Sequence, residues 1–543
     1  MSRNASLALG LDFGTESVRA LLVDLTGREH ASAAVKYKHG QIIHALPGSS
    51  EPLPHDYAFQ HPIDWIDASA KAVRTALKQA NADASSIVGI GVDFTSCTML
   101  PALRDGTPLC LLEKFKDQPM AWPKLWKHHG AVTQTQRINE LAAKRKEAWL
   151  PRYGGIIGLE WFFPKILETL EKAPAIYDAA EVWIEGGDWY VWQLVGGDAS
   201  TLPRSTCMAG YKGMWNAQAG YPSEAFFKAL HPKMTRVVAD KMPGRHTAPG
   251  QCAGLLTEAM AKKMGLRAGI PVSAAIIDAH AGVPGAGVAE PDTLVLVMGT
   301  SSCHMLNSRV EKLVPGVAGV AYEGILPGYH GYETGQAAVG DAFDWFRQLA
   351  GQKDFKSLSE KAAALPAGAE GVLCMDWFNG CRTPLMDGTL RGAFTGLRLG
   401  HRSEHLYRAL LEASGFGVKW IADLLTQGGV PVKRFVATGG LPHHNPLLVQ
   451  IYADILGKEV LVHPSRQGPA LGAAILGVLA AGKQAGFSNA SAAIHAMARA
   501  SIDHPDKARR PRIVKPDKQV AKAYKTLYQK YRSLGDAMNA LPR

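Results

Sequence analysis

The first forty residues alternate between apolar segments and one short polar turn. Residues 7–11 and 18–25 are apolar, and the sequence between them, residues 12–17, is Asp-Phe-Gly-Thr-Glu-Ser. Two apolar runs that flank a short glycine-containing turn predict a β-hairpin whose tip carries polar groups. A third strand is expected over residues 33–37.

The pattern then predicts a helix over residues 62–80 and a buried strand over 87–92 that ends at Asp93. Residues 108–268 are expected to be mostly helical. A near-continuous apolar run over 270–277 stops at Asp278 and is followed by a glycine-rich segment. This arrangement is typical of a central strand that presents a side chain at its carboxyl end.

The second half of the chain repeats this order of elements. An apolar strand over 294–298, the turn Gly299-Thr300-Ser301-Ser302 and a return strand over 303–306 predict a second hairpin. A strand over 435–438 then leads through Gly439-Gly440 to a helix over 446–456. The sequence therefore predicts an α/β protein built from a duplicated unit, with a ligand site in a cleft between two lobes.

Composition and charge exclude several classes of protein. Hydrophobic residues make up 47% and charged residues 20% of the 543, as in ordinary globular proteins. The net charge of +11 is concentrated at the end, where residues 503–543 hold eleven Lys and Arg against four Asp, a net of +7. There an apolar stripe at alternating spacings of four and three predicts a docked helix with a solvated basic face, and no nucleic-acid-binding motif accompanies it.

The cysteines and the apolar segments suggest the compartment. The seven cysteines are scattered, without C-x-x-C or zinc-type spacing, which indicates reduced thiols. The chain starts without a cationic apolar leader, and its longest run of small apolar residues, 472–482, is too short to span a bilayer. We therefore expect a cytoplasmic protein without a membrane partner.

The tips of the two hairpins are candidate phosphate-binding turns. Gly14 and Gly299 would let backbone N–H groups approach phosphate oxygens, and the hydroxyls of Thr15, Thr300 and Ser301 would add donors. A single Gly-Thr turn is usually structural, but its duplicated placement favours a polyphosphate ligand. The chain contains neither G-x-x-x-x-G-K-[ST] nor a G-x-G-x-x-G that follows a strand and opens a helix, so P-loop and dinucleotide folds are disfavoured.

Two aspartates and one glycine pair complete the candidate chemistry. Asp12 is suited to hold hydrated Mg²⁺, and Asp278 to orient a hydroxyl group and accept its proton. A lone Asp at a strand end is more often a turn or cap residue, and here the neighbouring glycines favour the functional interpretation. At Gly439 and Gly440 a flat purine could lie against the backbone, although the same segment can be a strand-to-helix loop with Asn445 near the helix cap.

Long, specific segments resemble the FGGY family of carbohydrate kinases over nearly the whole chain. They are GLDFGTESVRALLVD from Gly10, VDFTSCTMLP from Val92, LWKHH from Leu125, GDWYVWQL from Gly187, AGYKGMW from Ala209, IIDAHAG from Ile276, VMGTSSCHM from Val297, YETGQAAVGDAFDWF from Tyr332 and TGGLPHHNPLLVQIYADILG from Thr438. The resemblance implies two ribonuclease-H-like (actin-like ATPase) lobes, a sugar-binding lobe over 1–285 and a nucleotide-binding lobe over 286–543.

The resemblance also assigns roles to individual residues. It implies that Asp278 is the catalytic base and that Asp12 is the magnesium-linked aspartate, with ATP as the phosphate donor. The phosphate loops would be Gly14-Thr15 and Gly299-Thr300, and the nucleotide side would comprise Gly340, Gly439, Gly440 and Asn445. The sugar would contact Ser96, Lys212, Asp278 and Glu333; on local grounds Lys212 and Glu333 would be ordinary surface charges, and Trp126 is either an apolar wall of the site or a packed core residue.

The implied activity is phosphorylation of L-ribulose by ATP, as in L-arabinose catabolism. The Gln-Arg-Glu of glycerol kinases and the Gln-Met-His-Gly of xylulokinases are both absent after the strand that leads into Thr95-Ser96-Cys97. A kinase for another ketopentose or pentitol, such as D-ribulose, remains an alternative, and so does an actin-like ATP-binding chaperone or sensor. The expected partners are the sugar and ATP, without nucleic acid, and a homodimer is a possible assembly.

Overall fold

The computed structural model describes residues 6–500 and 502–541, which form two compact units. The first unit contains the described residues up to 289 together with 320–331 and 467–499. The second contains 290–319, 332–466 and the described residues from 500 onwards. The two units thus interleave along the sequence. The assignment of a sugar-binding lobe to 1–285 and a nucleotide-binding lobe to 286–543 stays a prediction.

The strands of the described residues are numbered in chain order. They are β1 (Leu7–Phe13), β2 (Ser17–Asp24), β3 (Glu29–Lys36), β4 (Ile87–Phe94), β5 (Met99–Ala102), β6 (Val182–Glu185), β7 (Pro203–Ser205), β8 (Arg245–Thr247), β9 (Cys252–Leu255), β10 (Pro271–Ser273), β11 (Ile276–Ile277), β12 (Thr293–Met298), β13 (Ser302–Ser308), β14 (Gly319–Tyr322), β15 (His330–Gln336), β16 (Leu373–Met375), β17 (Ala393–Thr395), β18 (Arg434–Thr438), β19 (Val460–Val462) and β20 (Arg512–Val514).

The α-helices of the same residues are numbered in the same way. They are α1 (Pro62–Ala80), α2 (Val132–Arg145), α3 (Phe162–Lys172), α4 (Pro174–Ala179), α5 (Gly186–Val195), α6 (Thr206–Lys212), α7 (Glu224–Leu230), α8 (Val237–Lys241), α9 (Glu258–Met264), α10 (Asp278–Gly285), α11 (Gly340–Leu349), α12 (Phe355–Ala363), α13 (Ser403–Gln427), α14 (Leu441–His444), α15 (Pro446–Leu456), α16 (Gly468–Ala481), α17 (Ala490–Ala498) and α18 (Lys518–Asn539).

The sheet of the first unit has the order β3-β2-β1-β4-β10-β9, and β11 also pairs with β4. The predicted hairpin is confirmed, because β1 and β2 pair antiparallel along their whole length. β4 runs parallel to β1, with Asp12 opposite Asp93. Since the carboxyl ends of parallel strands meet at one edge of a sheet, β1, β4 and β11 bring their last residues to the same edge.

The predicted strand over 270–277 is divided in two. β10 pairs with β4 at Val272 and Ile90, and β11 pairs with it at Ile276 and Asp93, so the register shifts between them. The backbone between the two strands bonds elsewhere: the N–H of Ala274 donates to the carbonyl of Gln251, and the Ser205 hydroxyl donates to the carbonyl of Ala275. These competing partners explain the interruption.

The core helix α16 lies directly on β1 and β4. A Cβ atom at Gly10 would lie 1.9 Å from the carbonyl oxygen of Ala470, and one at Gly91 would lie 1.7 Å from that of Ala473. The two strand glycines therefore let the helix backbone approach the sheet more closely than any side chain permits. No single described helix has the length and apolar character needed to cross a membrane. The segment Gly468–Ala485, which contains α16, passes that test only together with α17, as a pair bent by 119°.

The segment 108–268 forms an aromatic-rich core with short helices. It also contains the strand pairs β5–β6 and β7–β8, so it is less uniformly helical than the sequence predicts. Of its tryptophans, Trp122, Trp161, Trp183, Trp189 and Trp192 are buried, and Trp126, Trp149 and Trp215 are half-buried.

The second unit repeats the arrangement of the first. Its strand order includes β15-β13-β12-β18-β19-β20, with β12 antiparallel to β13 and parallel to β18. The terminal helix α18 is docked as predicted. Its Tyr531 and Tyr524 are buried, and the Tyr531 hydroxyl donates to Asp376 Oδ1 over 2.6 Å. The predicted duplication is thus present as two sheets with the same order of hairpin and parallel strand.

Candidate active site

The tip of the β1–β2 hairpin is a three-residue turn fixed from several sides. The Gly14 N–H donates to the Ser17 carbonyl over 3.0 Å, and the Tyr37 hydroxyl donates to the Gly14 carbonyl over 3.0 Å. Trp126 Nε1–H donates to Thr15 Oγ1 over 3.0 Å. Trp126 therefore orients the Thr15 hydroxyl, whose own hydrogen stays available for a ligand.

Protein packing does not require the glycine at this tip. A Cβ atom at Gly14 would have its nearest neighbour, the Ser17 carbonyl oxygen, at 3.5 Å. A small side chain at this position would therefore meet protein atoms only at ordinary van der Waals distance.

Three carboxyl groups lie at the carboxyl ends of β1, β4 and β11. Asp12 and Asp93 are opposite each other in the parallel pair, β11 pairs with β4 at Asp93, and Asp278 is the first residue after β11. Asp93 is fully buried, while the Asp12 side chain is 24% exposed. Burial, together with the charges of Asp12 and Asp278, raises the pKa of Asp93 well above its usual range.

These residues fit a divalent cation. Among the described residues, the carboxyl group of Asp93 has a side-chain partner only in the neighbouring carboxyl group of Asp12. Arg19 approaches Asp12 only to 3.9 Å between Nε and Oδ2. Carboxylate oxygens are the ligands that Mg²⁺ prefers, and two carboxyl groups in contact are stable only with a proton or a cation between them.

Asp278 lies at the first position of α10. Its Oδ1 accepts a hydrogen bond of 2.7 Å from the N–H of Ala279. Burial raises the pKa of Asp278 to about 7 and the charge of Asp12 adds to this effect, while the Ala279 hydrogen bond and the Lys212 ammonium oppose it. A carboxyl group with a pKa near neutrality is suited to accept a proton at physiological pH.

Lys212 and Ser96 belong to the same unit as Asp278. Lys212 is the last residue of α6, is 5% exposed, and has its Nζ 5.3 Å from the centre of the Trp161 ring. The Ser205 side chain caps α6 and donates to Ala275, just before β11. Lys212 is therefore a buried cation near Asp278, not the surface charge that local sequence features suggest.

The turn that carries Ser96 is held by a buried lysine. Lys165 Nζ donates to the Cys97 carbonyl over 2.6 Å and to the Leu125 carbonyl over 2.9 Å. Cys97 has a left-handed φ of 59°. Ser96 itself is partly exposed.

In the second unit, the β12–β13 turn is built like the first one. The Gly299 N–H donates to the Ser301 carbonyl over 3.0 Å, and a Cβ at Gly299 would have its nearest neighbour at 3.8 Å. The start of α11 supports the turn, because the Gly340 N–H donates to the Gly299 carbonyl over 3.1 Å. A Cβ at Gly340 would lie 2.5 Å from that carbonyl oxygen, so Gly340 permits this contact.

Gly439 and Asn445 both have structural roles beside this turn. Gly439 has φ 91°, and a Cβ there would lie 2.4 Å from the carbonyl oxygen of Met298. Asn445 caps α15, since its Oδ1 accepts from the Leu448 N–H over 3.1 Å. Gly440 is exposed, and a Cβ there would meet its first neighbour at 4.0 Å. The structure thus brings Gly299, Gly340 and Gly439 together, and it leaves open space at Gly440.

Glu333 lies on β15 and is almost fully buried. Its carboxylate forms an ion pair with Arg382. Arg382 also donates from Nη1 to Cys303 Sγ over 3.5 Å, which links Glu333 to the strand after the Gly299 turn. Glu333 is therefore anchored in one orientation within the second unit.

Sequence reasoning missed Asp93, Lys165 and Arg382, and it named Trp126 without its hydrogen bond to Thr15. Asp93 lies in the quoted segment VDFTSCTMLP, and the parallel pairing of β1 and β4 was the signal that would have placed it beside Asp12. Trp126, Lys165 and Arg382 act through contacts far apart in sequence, which no local pattern encodes.

Comparison with known proteins defines the class. The N-terminal domain model of the FGGY family of carbohydrate kinases matches residues 7–285, and the C-terminal domain model matches 294–481. The chain belongs to the FGGY family and is a carbohydrate kinase.

Within this family the chain is similar to curated ribulokinases. It is 44% identical to the ribulokinase of Geobacillus thermodenitrificans over 541 residues, which cover 97% of this chain and 94% of the relative. It is 45% identical to that of Mycolicibacterium smegmatis over 498 residues, which cover 89% and 87%.

Solved structures confirm the predicted fold class, α/β with two ribonuclease-H-like lobes of the actin-like type. The xylulose kinase from Rhodospirillum rubrum matches with a TM-score of 0.79 at 23% identity, over 98% of this chain and 99% of that one. The glycerol kinase of Plasmodium falciparum, solved with ADP, matches with a TM-score of 0.76 at 17% identity, over 98% of each chain.

Proposed function

We propose that this carbohydrate kinase transfers the terminal phosphoryl group of ATP to L-ribulose, giving ADP and L-ribulose 5-phosphate. The observation that carries the proposal is the similarity to ribulokinases over 97% of the chain. The first unit adds chemical support, since it places a carboxyl group of pKa about 7, Asp278, beside a buried lysine and two further carboxyl groups.

In the proposed reaction, Asp278 orients the primary hydroxyl of the sugar and takes its proton as the oxygen attacks the terminal phosphorus. The bond between that phosphorus and the bridging oxygen breaks, and the electron pair leaves with ADP. No phosphoenzyme forms. A positioned general base contributes on the order of 10²–10⁴ in rate.

Asp12 holds the divalent cation in this proposal. When bound, Mg²⁺ neutralises charge on the phosphate oxygens. Burial raises the pKa of Asp12, and the charge of Arg19, 3.9 Å away, opposes this rise. Arg19 also hydrogen bonds to Gln467, so it does not occupy both carboxylate oxygens of Asp12.

The sugar is proposed to contact Ser96, Lys212, Asp278 and Glu333. The acidic groups accept hydrogen bonds from hydroxyls, while the Lys212 ammonium donates to a hydroxyl or carbonyl oxygen. Trp161 beneath Lys212 and Arg382 beside Glu333 restrict the motion of these two side chains. Fixed donors and acceptors favour one arrangement of hydroxyl groups over another.

The phosphates of ATP are proposed to contact Gly14, Thr15, Gly299, Thr300 and Ser301. The base and ribose side is proposed to involve Gly340, Gly439, Gly440 and Asn445. Among these, the exposed backbone at Gly440 supports an approach by a flat ring. Since the Asn445 side chain caps α15, its contribution would be to hold this segment in place.

The test is an ADP-release assay with purified protein, Mg²⁺ and ATP. The acceptors are L-ribulose, D-ribulose, D-xylulose, ribitol and glycerol. We expect the highest kcat/KM with L-ribulose. Asp278→Asn should lower turnover on the order of 10²–10⁴-fold while nucleotide binding is kept. An absence of sugar-stimulated ADP release, or a preference for glycerol or D-xylulose, would overturn the proposal.

The second candidate is a kinase for another ketopentose or pentitol, which a preference for D-ribulose or ribitol would identify. It follows from the same residues, because the contacts proposed for the sugar are hydrogen bonds that several polyols can satisfy.

The proposal also keeps four expectations that derive from the sequence alone. They are a cytoplasmic location, a possible homodimer, the absence of a nucleic-acid partner and the absence of a membrane partner.

A further inference from the structure

The carboxyl group of Asp93 has no role in the reaction described above, although it lies beside two groups that do. It is on β4, fully buried, and opposite Asp12 in the parallel pair with β1. β11, the strand that leads to Asp278, pairs with β4 at Asp93 itself. Asp93 therefore lies between the strand ends that carry the proposed cation ligand and the proposed base.

Without a bound cation, this position is unfavourable for an ionised Asp93 carboxylate. Both oxygens of Asp93 are buried, and among the described residues its side chain has a partner only in the carboxyl group of Asp12. An isolated buried carboxylate carries a large desolvation cost, and the neighbouring charges of Asp12 and Asp278 add repulsion. Two carboxyl groups in contact are stable only with a proton or a cation between them.

The surrounding residues supply little positive charge. Arg19 is 3.9 Å from Asp12 and is also hydrogen bonded to Gln467. Lys212 acts on Asp278, where it lowers the pKa that burial raises. A cation bound between Asp12 and Asp93 would offset the repulsion, and the partly exposed Asp12 leaves a route for it from solvent.

We propose that Asp93 is a second protein ligand of the divalent-cation site, binding the ion through a carboxylate oxygen beside Asp12. This inference rests on the proposed function, because it takes the ion to be the Mg²⁺ that accompanies ATP. In this arrangement Asp93 anchors the cation from the buried side, and Asp12 holds it from the solvent side.

The test replaces the carboxylate by an amide of the same shape. Asp93→Asn keeps an oxygen acceptor but removes the charge, and binding of Mn²⁺ alone is measured by electron paramagnetic resonance without nucleotide or sugar. We expect Mn²⁺ affinity to fall at least about tenfold, and the rise in Tm caused by Mg²⁺ to disappear. The matched control is Asp188→Asn, because Asp188 is another buried carboxyl of the first unit with a raised pKa, about 7. It should bind Mn²⁺ like the wild type.

The Asn variant also separates the proposal from its main alternative. In that alternative, a protonated Asp93 donates a hydrogen bond to Asp12 and binds no cation. An amide N–H reproduces that hydrogen bond, so unchanged Mn²⁺ affinity in Asp93→Asn would overturn the proposal. Circular dichroism in EDTA establishes that the variant folds. If it does not, the wild-type protein labelled with ¹³C at aspartate carboxyls gives a second answer. Hyperfine coupling of bound Mn²⁺ to two carboxyl groups is expected, and coupling to one or none would contradict the inference.

The measurement separates this inference from the proposed function. If the wild type binds Mn²⁺ through Asp93 but phosphorylates no ketopentose, the function proposal fails and the site stands. If the wild type phosphorylates L-ribulose while Asp93→Asn binds Mn²⁺ normally, the site fails and the function stands.

Discussion

At the scale of single residues, the environment of Asp278 predicts how activity depends on pH. Asp278 can accept a proton only when it is ionised, and burial raises its pKa to about 7. The value of kcat/KM for the sugar should therefore fall as pH decreases below 7, approaching about tenfold per pH unit, and should level off above about pH 8. The measurement is a kcat/KM profile from pH 5.5 to 9 at saturating MgATP, since the sugar has no group that titrates there.

Two pH profiles test this prediction, that of the Asp278→Asn variant and that of the wild type. The residual kcat/KM of Asp278→Asn should not fall below pH 7, because the carboxyl group that titrates there has been removed. A wild-type profile that stays flat down to pH 5.5 would mean that Asp278 is ionised throughout, and its burial would then not set the working pH.

The residues to which the sequence gives roles are those that stand out by local geometry or by the family resemblance, and these roles stay predictions. Asp12 and Asp278 end apolar runs, and Gly14 and Gly299 occupy hairpin tips. Asp93 also ends an apolar run, but its importance depends on the register that places it opposite Asp12. The ion pair of Arg382 with Glu333 joins residues 49 positions apart, so no periodicity predicts it.

At the scale of elements, the contact of α16 with β1 and β4 determines how the first sheet is covered. A Cβ at Gly91 would lie 1.7 Å from the Ala473 carbonyl oxygen, which belongs to helix backbone and cannot rotate away. Gly91→Ala should therefore lower the free energy of unfolding by at least about 2 kcal/mol. Urea denaturation, followed by tryptophan fluorescence and circular dichroism, measures this loss.

Gly400→Ala is the matched control for that change. A Cβ at Gly400 would meet no heavy atom within 4 Å, and its backbone is outside the left-handed region. Its free energy of unfolding should stay within about 0.5 kcal/mol of the wild-type value. Equal stability of the two variants would show that α16 can shift away from β4 at little cost.

The elements that sequence predicted best are those with a clear period and clear end signals. α1 begins at Pro62 with His61 as its cap, and α15 begins at Pro446 after Asn445, both at the predicted residues. The predicted strand over 270–277 looked continuous because all of its residues are apolar or small. Its division into β10 and β11 depends on Gln251 and Ser205, which are distant in sequence.

At the scale of the whole molecule, the two units have the same arrangement of strands, but neither is formed by one continuous segment of the chain. Each has a hairpin followed by a parallel strand, which the repeated sequence pattern predicted. The return of residues 467–499 to the first unit was not predictable, because α16 is apolar on nearly every side and would fit either sheet. What places α16 is the set of glycines in β1 and β4 that accept its backbone.

The proposed roles of the two units predict separate responses to separate ligands. Lys212 lies on α6 of the first unit, and Gly440 lies at the start of α14 in the second. L-ribulose alone should slow amide hydrogen exchange in a peptide over residues 206–214, and MgADP alone should slow it in one over 438–446. The measurement is hydrogen exchange by mass spectrometry, with residues 29–36 of β3 as an internal reference, because no ligand contact is proposed there. Glycerol at the same concentration controls for general polyol effects. Protection of 206–214 by MgADP, with 438–446 unchanged, would reverse the assignment of the two units, because backbone ordering follows the ligand that contacts it.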